Sequence, residues 1–92
     1  MAFARTVLES HFAMHIIDTE IRREPRLLGL WEGLKWRLAR QPQAGYPVPG
    51  TDPQAYLVHS FNWKALAHIA EIVATYTFDD DQVEILAVRV LH

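Results

Sequence analysis

The stretch Glu71-Ile-Val-Ala-Thr-Tyr-Thr-Phe78, Asp79-Asp80-Asp81, Gln82-Val-Glu-Ile-Leu-Ala-Val-Arg-Val-Leu-His92 decides the fold. Two runs rich in β-branched and aromatic residues flank a short acidic turn, which is the composition of a β-hairpin. Ile72, Ala74, Tyr76 and Phe78 share one face of the first run; in the second, Val83, Ile85 and Ala87 alternate with Glu84, Leu86, Val88 and Val90. Both faces of the second run are apolar beyond Glu84. Such a strand belongs inside a sheet, covered on at least one side, so the preceding residues must supply further strands and a cover.

Upstream, Ala55 to Phe61 alternates well enough to form another strand, and residues 62–70 are ambiguous between a short helical turn and an irregular hairpin connection. Gln41 to Pro53 holds four prolines and two glycines and reads as a loop that redirects the chain. Before it, Leu27, Leu30, Trp31, Leu34 and Leu38 mark the apolar face of a helix ending near Arg40, with Pro25 suited to its first turn. An earlier helix is expected from Ser10, a good N-cap, to about Arg22. Phe3 to Glu9 fits a short strand, with a helix as the competing assignment. The chain therefore reads as one α+β domain, residues 1–92: an N-terminal strand, a two-helix hairpin packed on an antiparallel sheet, and a C-terminal β-hairpin.

Composition narrows the chemistry. Ninety-two residues, half of them apolar, bury a real core in one domain. The absence of cysteine excludes a disulfide framework, a thiolate zinc site and a cysteine nucleophile. No apolar run approaches the roughly 20 residues of a membrane span, and the N-terminus lacks the pattern of a secretory signal, so the cytoplasm is the expected compartment and no membrane partner is expected. The formal net charge of −2 gives no global attraction to nucleic acid, although Arg22, Arg23, Arg26, Lys35, Arg37 and Arg40 concentrate positive charge in the helical segment. Neither serine, Ser10 or Ser60, lies in a nucleophile elbow, and no glycine-rich phosphate cradle is present.

The segment Leu38-Ala-Arg-Gln-Pro-Gln-Ala-Gly45-Tyr-Pro-Val-Pro-Gly50, followed by Tyr76-Thr-Phe-Asp-Asp-Asp-Gln-Val-Glu-Ile-Leu-Ala-Val-Arg89, resembles the RelE/ParE toxin superfamily of bacterial type II toxin-antitoxin systems. The resemblance spans most of the chain and rests mainly on structural positions. It implies a helical hairpin on an antiparallel sheet, and a protein that inhibits growth by cleaving messenger RNA on the ribosome or by poisoning DNA gyrase until a cognate antitoxin neutralises it. Arg89 matches an arginine that the family commonly carries on its last strand, and His92 falls where a basic or histidine-bearing tail begins. Glu71-Ile-Val-Ala-Thr replaces the arginine usually found at the start of the third strand.

Cleavage at a ribose 2′-oxygen needs a base, an acid and a cation on the phosphate. Arg89, His92 and His59 are the candidates for those roles, and each has a plain structural reading as well: a strand-end arginine facing Glu84 or solvent, a terminal residue, a half-exposed strand histidine. Trp36 and Trp63, with Lys64, are candidates for partner contact, Trp36 because it falls off the apolar helix face that Trp31 occupies. His11, His15 and Asp18 have helical metal-ligand spacing, but no fourth ligand is suggested, and neither a metal nor another cofactor is expected. Asp79 to Asp81 lacks the alternation and glycine of a calcium loop and reads as a solvated turn. A second function class fits the same pattern: a non-catalytic interaction module that forms a homodimer or takes up a partner's strand or helix.

Overall fold

The computed structural model describes residues 4–60 and 70–91. The order is β1 (Thr6–Glu9), α1 (His11–Arg23), α2 (Leu27–Arg40), a 3-10 turn (Pro42–Ala44), β2 (Tyr46–Pro47), β3 (Tyr56–His59), β4 (Glu71–Phe78) and β5 (Gln82–Leu91). One five-stranded sheet runs β1-β5-β4-β3-β2, so the doubly apolar β5 is interior, as its composition requires. β1 lies parallel to β5 and every other pair is antiparallel, making the sheet mixed where the sequence suggested an antiparallel one. The parallel pair is reached because a two-helix crossover and three strands intervene between the partners. The proline-rich loop also contributes more than a redirection: Tyr46 and Pro47 form a two-residue edge strand on β3, where proline is tolerated.

Both helices pack on one face of the sheet. Ala13 and Ile17 of α1 and Leu27, Leu30, Trp31, Leu34 and Leu38 of α2 meet Ile72, Ala74, Tyr76, Val83, Ile85 and Val88 in the core. The alternation in β4 holds throughout its buried part, but that in β5 does not. Tyr76 faces Ile85 while Thr75 faces Ala87, which leaves Leu86 as the extra residue of a β-bulge. The core-facing set therefore switches from Val83 and Ile85 to Val88, and Ala87 moves to the opposite face from the one its phase with Val83 predicts. The bulge explains why both faces of this run are apolar.

Ser10 ties the bulge to α1. Its N–H donates to the Ile85 carbonyl at 2.9 Å and its hydroxyl donates to the Leu86 carbonyl at 2.8 Å, while the same oxygen accepts the Ala13 N–H at 3.0 Å as the N-cap. Ser10→Ala is expected to cost about 1–2 kcal/mol of unfolding free energy. Urea denaturation measures this, and an unchanged midpoint would show that water takes over both contacts. At the other helical joint Pro25 stands just ahead of α2, its carbonyl accepting the Leu28 N–H at 3.1 Å. Glu24, held down to about 2 by its hydrogen bonds to the Arg26 guanidinium, closes the same turn.

Tyr76 fastens the loop to the sheet. Its buried hydroxyl donates to the Pro42 carbonyl and accepts the Gly45 N–H at 3.1 Å. Burial pushes this phenol up to about 12, because the anion would lose its hydration. Gly45 has no room for a side chain: a Cβ there would meet the tyrosine hydroxyl and lie 2.9 Å from the Leu57 carbonyl. At the hairpin tip one Asp79 carboxylate oxygen accepts the N–H groups of Asp81 and Gln82, both at 2.8 Å, and these bonds lower its pKa. The acidic turn is thus a capped turn.

Candidate functional site

With the helices on one side, the opposite face of the sheet has no helical cover among the described residues. Leu57, His59, Val73, Thr75, Ala87, Arg89 and Leu91 line a concavity of about 320 Å³ on it. The strand register sets their order. His59 of β3 pairs with Val73 of β4, and Val73 pairs with Arg89 of β5, so the imidazole and the guanidinium issue from either side of one central valine. Two cross-strand steps separate their backbones by roughly 10 Å.

Glu71, two residues before Val73 on the same strand face, meets His59: its carboxylate lies 2.5 Å from Nδ1, with both side chains about 30% exposed. When that contact is Nδ1–H donating to the carboxylate, Nε2 is the basic nitrogen of the ring. The arrangement is a carboxylate-oriented histidine across a small apolar floor from an arginine. Arg89 is exposed and makes no ion pair with a described residue, and Glu84, its expected alternative partner, lies toward the other end of the face opposite Thr77. Glu84 and Asp79 border a second concavity of about 200 Å³ with Pro53 and Phe78, away from Arg89, while Glu71 places a carboxylate at the His59 end as well.

Two of the three expected catalytic residues, His59 and Arg89, are thus brought to one concavity, while His92 lies outside the described residues. Glu71 was missed as a site residue. Its signal is the hairpin register: pairing His59 with Val73 places Glu71 diagonally next to the histidine. Of the expected partner-contact residues, Trp63 and Lys64 also lie outside the described residues, as do residues 61–69 as a whole. Trp36 is described, 61% exposed on α2, with the Arg40 guanidinium 4.0 Å from its ring centroid. Trp31, by contrast, is core, with the Lys35 ammonium over its ring at 5.6 Å from the centroid, and Lys35 also bonds Glu9 and Glu32. Among the described residues, no group of three His, Cys, Asp or Glu side chains is placed to hold a metal, so His11, His15 and Asp18 do not form a centre. No helix among the described residues is long and apolar enough to cross a membrane.

No family model, curated protein or solved structure matches the chain.

Proposed function

We propose that the chain is the RelE/ParE-like toxin component of a type II toxin-antitoxin pair. In this reading it acts on RNA in the cytoplasm through the open sheet face, and a cognate antitoxin neutralises it by covering that face. The observation that carries the reading is the row His59, Val73, Arg89, with Glu71 against the histidine. It supplies a base and a phosphate-binding cation on one concave surface, and Arg89 is also the position to which the family resemblance points. Gyrase poisoning, the other branch, needs no such pair.

The chemistry balances without a cofactor. The His59 imidazole takes the proton of a ribose 2′-hydroxyl as that oxygen attacks the adjacent phosphorus. Arg89 stabilises the extra negative charge on the phosphate oxygens, and the 5′-oxygen departs with a proton from water. The products are a 2′,3′-cyclic phosphate and a 5′-hydroxyl. Glu71 is the positioning residue, holding the ring through Nδ1.

Inducing the chain alone in a bacterial cell, with labelled methionine and labelled thymidine incorporation followed in parallel, tests this. A prompt fall in methionine incorporation is expected. An earlier fall in thymidine incorporation would move the target to DNA gyrase, and no effect on either would overturn the toxin reading. In that last case the interaction module becomes the better account, favoured by the exposed Trp36.

A further inference from the structure

The outer side of α2 carries a surface that the reading above does not use. Trp36, Arg37, Arg40 and Gln41 line a concavity of about 410 Å³ near the C-terminal end of the helix. The arrangement is built rather than incidental. Arg40 lies over the Trp36 ring at 4.0 Å, and its Nη1 donates to the Trp36 carbonyl at 3.2 Å, so both side chains are held before any partner arrives. Trp36 is nonetheless 61% exposed, and among the described residues no carboxylate lines the concavity. The nearest basic neighbour on the helix, Lys35, is engaged by Glu9 and Glu32. The exposed Arg40 and the half-buried Arg37 therefore place positive charge on this concavity beside a large apolar ring.

We infer that this surface is a docking site for an acidic protein segment, one that lays an aliphatic or aromatic side chain against Trp36 and its carboxylates on Arg37 and Arg40. Tryptophan and arginine dominate binding energy at protein interfaces, and a prearranged pair loses less side-chain freedom on binding. The surface is complementary in charge to such a segment, and no described residue of the concavity wall opposes it. Single-stranded nucleic acid fits less well, because it draws its affinity from many phosphate contacts and would meet two guanidinium groups here on a chain of net charge −2. The inference does not require the chain to be toxic; an antitoxin with an acidic arm is one protein that would satisfy it.

The test is selection of a random displayed-peptide library on the immobilised full chain, followed by titration of the selected peptides in solution. Enrichment of peptides carrying paired Asp or Glu next to a large apolar residue is expected. Their affinity should fall about tenfold or more in Trp36→Ala and in the double variant Arg37→Ala, Arg40→Ala, and should weaken with salt in the wild type. Circular dichroism confirms that the variants fold, which the exposure of Trp36 and Arg40 favours; Arg37 is half-buried, so the single variant Arg40→Ala is measured alongside the double. Selected peptides without acidic bias, binding unchanged in the variants, or no enrichment would each overturn the inference. So would a single-stranded uridine oligomer that binds in a Trp36-dependent way, or a dimer of the chain itself that Trp36→Ala dissolves, since those results assign the surface to RNA or to a second copy. A failed toxicity experiment leaves this result unchanged, and loss of peptide binding leaves toxicity unchanged.

Discussion

Tyr76→Phe is expected to lower the unfolding free energy by about 2–3 kcal/mol, since it strands a buried carbonyl and a half-buried N–H at once, an unpartnered buried group costing roughly 1–3 kcal/mol. The partners are Pro42 and Gly45, and the hydroxyl that serves both is buried. The same hydroxyl makes stability pH-dependent in a defined direction. Its pKa rises from the ordinary 10.0 to about 12 in the folded chain, so the unfolded state releases its proton first as pH increases. The contribution is complete below pH 10, declines between 10 and 12, and is lost above, a change of about 3 kcal/mol at ~1.4 kcal/mol per pKa unit. Urea titrations of wild type and Tyr76→Phe across that window isolate it: the gap between the two curves should close as pH rises. A gap that is constant with pH would mean the phenol is not withdrawn from water. Gly45→Ala should destabilise through the same contact, because its methyl group must displace either the hydroxyl or the backbone at Leu57.

On the proposed ribonuclease reading, His59→Ala reduces RNA cleavage by about 10²–10⁴-fold, the usual contribution of a general base. Arg89→Ala removes about 10²–10³-fold, comparable to losing one donor to a developing oxyanion. Arg89→Lys should recover only part of that loss, since an ammonium keeps the charge but not the two-pronged contact to phosphate. Cleavage of an end-labelled messenger in a translating extract, with the purified variants, gives these ratios directly. All three changes alter a face away from the core, so thermal unfolding should stay near wild type. Full activity in Arg89→Ala would remove the arginine from the reaction and with it the observation on which the reading rests.

Much of the architecture follows from local pattern. Leu27, Leu30, Trp31, Leu34 and Leu38 recur at helical spacing, and α2 ends at Arg40 as the following proline-rich run requires. Ser10 caps α1 because a serine just before an apolar helical stripe has both the geometry and the oxygen for it. The hairpin around Asp79 to Asp81 is equally local, its strands ending where three aspartates favour a capped turn. What failed in the reading of β5 was phase. Period-2 alternation assumes an unbroken ladder, and the extra residue at Leu86 shifts every later side chain to the other face. That bulge depends on carbonyls of β5 being taken by Ser10, a residue far away in sequence, so no local pattern announces it.

The sequence by itself determined the α+β class, the helix limits and the interior position of the C-terminal strand, because periodicity, caps and turn residues act within a few positions of one another. Only the tertiary structure decided the mixed sheet and the tyrosine latch, which are pairings between residues more than thirty positions apart. The site is divided in the same way. His59 and Arg89 were legible as residue types, a titratable ring and a strand arginine. Their placement across Val73 and the addition of Glu71 are properties of register. Register is set by long-range hydrogen bonding and core packing, forces that a linear chain records only after it has folded.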